Sequence, residues 1–177
     1  MTEPTAQPTP APSPTGAEGA GVPLNQAVRQ VITVHLSNIP LLNGLAPHVL
    51  QQVGAAMQFR TVEKGAYVMH KGSPGDHLVF LLSGRVQVLD VTEDGREIVL
   101  SSLSPGDYVG EMAVIDGQPR SASVQAADTS LVAFLPRAHA QQLLYANPLV
   151  AERVMQRLAG TVRAAAANRA ILSLPSA

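Results

Sequence analysis

Glycines recur at nearly regular intervals through the middle of the chain, and this spacing constrains the fold more than any other feature. They stand nine to eleven residues apart, at Gly65, Gly75, Gly84, Gly95, Gly106 and Gly117. A series of short strands needs a turn residue at about this interval, because most strands run for about five or six residues. The spacing therefore predicts an antiparallel barrel or roll over residues 58–136.

The segments between these glycines have the composition of strands. Residues 78–82, which read LVFLL, form a continuous apolar run that suits a buried strand. Residues 86–89 and 97–100 flank the dipeptide Asp94-Gly95, which favours a hairpin turn because both residue types tolerate a positive φ. We therefore predict a mainly β domain, an antiparallel β-roll of the jelly-roll kind with flanking helices.

Helical spacing replaces the strand pattern before the predicted roll. Residues 23–57 are predicted to contain two helices, of which the second runs from residue 47 to residue 57. The first carries an apolar stripe made of Val28, Val31, Ile32 and Leu36. We expect this stripe to pack on the domain, and a surface for a partner or a second subunit is the alternative.

Helical spacing also follows the roll, in residues 137–177. A short helix is predicted before Asn147-Pro148, and a longer one after it. The longer helix keeps an apolar stripe made of Ala151, Val154, Met155, Leu158, Val162, Ala165 and Ala166. Packing on its own domain and pairing of two subunits are both open for this stripe.

The N-terminal residues 1–22 differ in composition from the rest of the chain. Prolines at positions 4, 8, 10, 12 and 14 stand among Thr, Ala, Ser and Gly, so there is almost nothing to bury. We expect a disordered tether here. The segment has no secretion-signal pattern, and no run approaches the roughly 18 apolar residues of a membrane span, so we expect a cytoplasmic protein.

Composition argues against several kinds of chemistry. The 177 residues carry a formal net charge of −1 and no cysteine. A nucleic-acid reader is normally basic, and thiol catalysis and cysteine-bound metals need cysteine. The five histidines lack ligand spacing, so we assign no metal. No nucleophile elbow or phosphate loop is present, and we do not expect an enzyme or a nucleic-acid partner.

One stretch, residues 110–124, carries groups that suit a cyclic sugar phosphate. It reads GEMAVIDGQPRSASV. The planar guanidinium of Arg120 can donate two parallel hydrogen bonds to a phosphate diester, and Glu111 can accept one from a sugar hydroxyl. Gly110 lacks a Cβ and lets the main chain approach a ligand. We expect a short helix that Pro119 ends, followed by a strand from Arg120, which together bring Glu111 and Arg120 face to face.

These residues resemble the phosphate-binding cassette of the cyclic nucleotide-binding domain family, placed here at residues 106–126. The turn segments of the chain extend the resemblance over about residues 36–148. The resemblance implies that Glu111 accepts a hydrogen bond from the ribose 2′-hydroxyl and that Arg120 and Ser121 hold the phosphate. It implies main-chain contacts from Gly110, Met112, Ala113 and Ala122.

The same resemblance implies the surroundings of the base. Val88, Leu100 and Leu103 are its expected wall, with ordinary core packing as the alternative for each, and Thr161 is the candidate lid. Alanine or serine follows the arginine in many cyclic AMP binders of the family, and threonine follows it in many cyclic GMP binders. Ser121 therefore favours cyclic AMP as the ligand, with cyclic GMP as the alternative.

The predicted function is a non-enzymatic sensor that binds a cyclic nucleotide and relays occupancy to an unidentified effector protein. The relay is expected to run through residues 148–172 or the N-terminal tether, and the C-terminal helix is a candidate homodimer surface. One alternative is a ligand-independent scaffold or adaptor. The other is the effector domain of a catabolite-activator-type regulator without its DNA-binding module, since residues 171–177 are too few for one.

Overall fold

The computed structural model describes residues 26–172, with side chains described as far as residue 168. The helices of this region are α1 (Gln26–Ser37), α2 (Pro47–Ala56), α3 (Glu111–Asp116), α4 (Arg137–Ala146) and α5 (Pro148–Leu172). The strands are β1 (Gln58–Val62), β2 (Tyr67–Met69), β3 (His77–Ser83), β4 (Val86–Val91), β5 (Glu97–Leu103), β6 (Tyr108–Val109), β7 (Ser123–Ala126) and β8 (Ser130–Pro136). The predicted tether of residues 1–22 lies outside the described residues.

The strands form two antiparallel sheets of four strands each. In sheet A the order is β1-β8-β3-β6, and in sheet B it is β2-β7-β4-β5. Strands that are distant in sequence therefore lie side by side, as they do when a chain rolls two sheets around one interior. The predicted antiparallel β-roll with flanking helices is confirmed.

Strand β3 is buried on both faces, which explains why its sequence is apolar throughout. Val79 and Leu81 pack between the two sheets, whereas Leu78 and Phe80 pack towards the helices. None of the four is more than 3% exposed. Strand β3 therefore joins the interior of the roll to a second core, which sheet A shares with the helices.

The hairpin predicted at Asp94-Gly95 connects β4 to β5. Gly95 has a φ of +83°, the left-handed conformation that the residue pair was expected to supply. The register of the two strands shifts between Val88 and Leu89. Leu100 is left over on β5 as the extra residue of a β-bulge.

Helix α1 contacts the domain only at its C-terminal end. Leu36 is buried and Ile32 packs against the same core, but Val31 and Val34 are 56% and 57% exposed. The prediction that the whole stripe of this helix packs on the domain is therefore wrong at Val31. Helix α2 meets α1 at Ile32 and Leu36, where a Cβ added to Gly54 would lie 3.1 and 3.2 Å from these two side chains.

Helix α5 leaves the domain halfway along its length. Val150 and Val154 are buried in the helical core, Leu158 packs at its edge, and every residue from 159 to 168 is exposed. The guanidinium of Arg153 holds the buried half in place by donating to the carbonyls of residues 41 and 43, at 3.2 and 2.6 Å. Packing on the domain therefore stops at Leu158.

We expect Phe80→Ala to lower the free energy of unfolding by about 3–5 kcal/mol, because the ring is fully buried between sheet A and the helices. Urea unfolding followed by circular dichroism measures the loss. Met155→Ala is the matched control, since this side chain is 61% exposed and its removal should cost less than about 0.5 kcal/mol. Equal losses in the two variants would contradict the two-core description.

Candidate functional site

Helix α3 connects strand β6 to the segment that carries Arg120. Gly110 precedes the helix with a φ of +93°, and Gly117 follows it with a φ of +69°. The amide of Gly117 donates to the carbonyl of Ala113 at 2.9 Å and closes the last turn. The helix thus ends at Asp116, and the expectation that Pro119 ends it is wrong, because a left-handed glycine two residues earlier already does so.

Arg120 is buried, with 6% of the residue exposed. Its Nη2 donates to the carbonyl of His77 at 2.6 Å, and its Nη1 donates to the carbonyl of Gly110 at 3.3 Å. Its main chain pairs with the loop before β3, since its amide donates to Ser73 at 2.9 Å and its carbonyl accepts from Gly72 at 2.8 Å. The guanidinium is therefore held by main-chain carbonyls from two separate segments.

Burial lowers the pKa of the Arg120 guanidinium, and the negative charges of Asp76 and Glu111 oppose this effect. The side chain remains a cation at neutral pH, because the ordinary pKa of arginine lies far above it. A positive charge is therefore maintained below the protein surface at the start of α3.

Glu111 is the first residue of α3 and is half-buried. Its charge acts on Arg120 and on Tyr108, yet within residues 26–168 its carboxylate has neither a hydrogen-bond partner nor an ion-pair partner. The side chains of Glu111 and Arg120 therefore lie near one another without bonding to each other. The carboxylate is left able to accept a hydrogen bond from a ligand.

The other cassette residues lie around these two side chains. Ala113 is buried against Gly75, where a Cβ on the glycine would overlap the Cβ of the alanine, whereas Met112 is 48% exposed. Ser121 is exposed and Ala122 is half-buried. Strand β7 begins only at residue 123, so the strand expected from Arg120 starts three residues later, because the loop at residues 72–73 pairs with Arg120 instead of a neighbouring strand.

The three residues expected to line the base do not share one environment. Leu103 is buried in the roll interior, and Val88 packs against the same cluster from β4. Leu100, the extra residue of the bulge, is 57% exposed on the edge strand of sheet B. Their contact with a base stays a prediction.

Thr161, the candidate lid residue, lies on the exposed part of α5. Its hydroxyl donates to the carbonyl of Arg157, one turn earlier, at 3.1 Å. This contact belongs to the helix itself, and the proposed contact between Thr161 and a ligand stays a prediction.

Two side chains that the sequence did not single out connect the site to α5. The guanidinium of Arg157 lies 4.0 Å from the ring centroid of Tyr108, three residues before Glu111. Burial raises the pKa of the Tyr108 hydroxyl, and the charge of Arg157 opposes the rise. No spacing rule relates these residues, so only the fold could reveal the pair.

A second connection links α3 to α4. The carbonyl of Val114, near the end of the short helix, accepts from Nε of Arg137 at 3.3 Å and from Nε2 of Gln141 at 3.1 Å. Carbonyls in the last turn of a helix have no partner within that helix, so a side chain from another element can bind them. Helix α4 supplies two such donors to one carbonyl.

The described residues offer little support for other kinds of site. Their His, Asp and Glu side chains form no group of three that could hold a metal ion, and none of their helices has the length and apolarity needed to cross a membrane. His70 stacks on Tyr67 with ring centroids 4.6 Å apart, whereas His77 packs against Phe134, so the two histidines do not meet. A cleft of about 260 Å³ lies between the loop before β3, Pro119 and the start of α4.

The profile of the cyclic nucleotide-binding domain family matches residues 59–147, about half of the chain. A cyclic nucleotide-gated potassium channel of Mesorhizobium japonicum is 39% identical over 73% of this chain and 34% of the channel. A cAMP-dependent protein kinase regulatory subunit of Emericella nidulans is 33% identical over 73% of this chain and 30% of the subunit. For glutaminase 1 of Bradyrhizobium diazoefficiens the identity is 38%, over 72% of this chain and 20% of the glutaminase.

Solved structures give the same result. The catabolite activator protein of Thermus thermophilus matches with a TM-score of 0.68 and 32% identity, over 76% of this chain and 63% of that protein. A mutant regulatory subunit of a cAMP-independent protein kinase A from Trypanosoma brucei, with cAMP bound in its A site, matches with a TM-score of 0.65 and 28% identity, over 73% of this chain and 46% of that one. The chain belongs to the cyclic nucleotide-binding domain family, and it spans about a fifth to a third of the curated relatives named above.

We expect Gly110→Ala to destabilise the protein more than Gly95→Ala does. Both glycines have a positive φ, which costs a residue with a Cβ about 1–2 kcal/mol. The space around Gly95 is open, whereas a Cβ at Gly110 would overlap Nη1 of Arg120. Displacing this buried, hydrogen-bonded charge should bring the loss at Gly110 to about 3–5 kcal/mol.

Urea unfolding of the two glycine variants gives the comparison directly. Equal losses would mean that the guanidinium moves aside without cost, and would contradict the close contact between Gly110 and Arg120.

Proposed function

We propose that this chain is a non-enzymatic sensor of a cyclic nucleotide, with cyclic AMP as the preferred ligand. The observation that carries the proposal is the pair formed by Arg120 and Glu111. A buried guanidinium and a carboxylate without a bonding partner lie close together at the start of α3. A cyclic phosphate with a neighbouring hydroxyl matches this pair, because it offers an acceptor to one group and a donor to the other.

In the proposed complex, each polar group of the ligand has one partner. Arg120 binds the two exocyclic phosphate oxygens, with Ser121 beside it, and Glu111 accepts from the ribose 2′-hydroxyl. The main chain approaches the ligand at Gly110, Met112, Ala113 and Ala122. We propose Val88, Leu100 and Leu103 as the wall of the base and Thr161 as the lid, all without a metal.

The relay to a partner is proposed to start at α3. This helix is bonded to α4 through Val114, and α4 leads directly into α5. Tyr108, on the strand before α3, supports Arg157 of α5 through its ring. A ligand that moves α3 would therefore change the contacts of both helices, as a shift between two states requires.

The exposed half of α5 is the proposed surface for the effector protein. Each of its residues 159–168 is exposed, and Val162 there is 67% exposed. A homodimer through the same helix is the alternative use of this surface. Light scattering with and without cyclic AMP distinguishes them, because only the homodimer doubles the mass of the isolated chain.

A ligand-independent scaffold is the second candidate function. It is favoured by one observation, that both terminal nitrogens of Arg120 already have carbonyl partners, so the charge is satisfied without a ligand. Thermal unfolding with added cyclic AMP separates sensor from scaffold, because a ligand that binds only the native state must raise the melting temperature.

We expect Arg120→Ala to weaken cyclic AMP binding by about 2–3 kcal/mol, roughly a 30- to 150-fold rise in Kd, because charge-assisted hydrogen bonds to the phosphate are lost. Isothermal titration calorimetry measures the change. Arg85→Ala is the matched control, since the guanidinium of this exposed arginine pairs with Asp128, outside the cassette, and its removal should leave affinity unchanged. An unchanged Kd in folded Arg120→Ala would refute the assignment of Arg120 to the phosphate.

We expect Ser121→Thr to shift the preference of the site towards cyclic GMP. Threonine occupies this place in many cyclic GMP binders of the family. Serine and threonine carry the same hydroxyl, but the added methyl group of threonine restricts χ1 and holds the hydroxyl in fewer orientations. A hydrogen bond to the base strengthened by about 1 kcal/mol changes the ratio of affinities roughly fivefold. Titration of both nucleotides on both proteins measures this ratio. An unchanged ratio would contradict the use of Ser121 as the basis for a cyclic AMP preference and would leave its proposed place beside the phosphate intact.

A further inference from the structure

His77 lies inside the roll, at the end nearest to Arg120. Alternation along β3 places it on the same face as Val79, which packs between the two sheets. The imidazole meets the ring of Phe134 edge-on, with centroids 5.7 Å apart and an angle of 85° between the planes. The side chain is half-buried, so it stands where the interior of the roll opens towards the cassette.

The same residue holds the guanidinium that we assign to the phosphate. Its main-chain carbonyl accepts a hydrogen bond from Nη2 of Arg120 at 2.6 Å. One residue therefore supplies both the carbonyl that positions the guanidinium and the imidazole ring. Among the side chains that the structure describes, none forms a hydrogen bond with the imidazole nitrogens of His77. The ring nitrogens are therefore available to a ligand or to solvent.

Three charged groups act on the His77 ring from the elements around it. Asp76 precedes it in the loop before β3, Arg120 lies in the cassette, and Arg60 reaches it from β1. The Arg60 guanidinium lies 5.2 Å from the centroid of Phe134, the ring that His77 contacts. Two cations and one anion thus surround the imidazole in the free protein.

We propose that His77 is a proton-binding site linked to the ligand, so that the chain binds its cyclic nucleotide more tightly as the pH falls. This inference rests on the proposed function, since it requires a phosphate at Arg120. A bound phosphate diester brings a negative charge beside the imidazole. The protonated ring is stabilised by that charge, and the complex therefore holds more protons than the free protein does.

The direction of the pH dependence follows from the charges around His77 in the free protein and in the complex. In the free protein, burial lowers the pKa of His77, Asp76 raises it, and Arg120 and Arg60 lower it. The phosphate offsets the effect of Arg120, which raises the pKa in the complex. Binding then takes up a proton, so Kd falls as the pH drops through the interval between the free and the bound pKa. The diester keeps its single charge throughout.

We expect cyclic AMP to bind more tightly at pH 5.5 than at pH 8, by at most about tenfold, the limit set by a rise of about one unit in the pKa of His77. Calorimetry at several values above pH 5.5 measures this trend while the carboxyl groups stay ionised. His77→Gln keeps a polar side chain that does not titrate, so its Kd should stay flat near the wild-type value at pH 8. His139→Leu, on the exposed side of α4, is the matched control and should retain the wild-type trend.

A wild-type Kd that does not change with pH, or a His77→Gln variant that keeps the trend, would overturn the inference while leaving the proposed receptor intact. Absence of binding at every pH would contradict the proposed function itself and the inference with it. Should the variant fail to fold, histidine resonances of the unmodified protein decide the matter. The apparent pKa of His77 must rise when cyclic AMP saturates the site, and an unchanged value refutes the linkage.

Discussion

The structure depends on keeping one positive charge, that of Arg120, below the surface of a β-roll. A buried guanidinium is stable only if its hydrogen bonds are made, and here two main-chain carbonyls make them. No carboxylate of the described residues binds it directly, so its attraction for an anion is not neutralised at contact distance. The same charge organises its neighbourhood, because the carbonyls of Gly110 and His77 must face it.

This requirement ties together three segments that are far apart in sequence. The loop before β3 binds the main chain of Arg120 and packs through Gly75 against Ala113 of α3. Helix α3 is in turn bonded to α4 through the carbonyl of Val114. A change at the guanidinium can therefore reach α4, because Gly110, which binds it, begins α3, and α3 is bonded to α4.

Much of the architecture could be predicted from the sequence, and the failures have physical causes. Regular glycines and the apolar run of β3 report directly on turns and burial, so the roll was predictable. The apolar stripes of α1 and α5 show which side of each helix is apolar, but they do not show what packs against that side. Both stripes continue past the part of the helix that the domain covers. At the site, the residue types predicted Arg120 and Glu111 as ligand-binding side chains. The partners of Arg120 could not be predicted, because they are main-chain carbonyls, which every residue type carries. The stacking of Arg157 on Tyr108 depends on where α5 lies relative to β6, which no local pattern encodes.

The projecting half of α5 has a mechanical consequence. Alanine has the highest helix propensity, so the alanine-rich residues 159–168 can stay helical without tertiary support, but only marginally over this length. Gly160 lies two residues beyond the last packed residue, Leu158, and glycine in a helix interior is destabilising relative to alanine. The exposed half of α5 can therefore bend or unwind at Gly160, next to the domain, without a change in the roll.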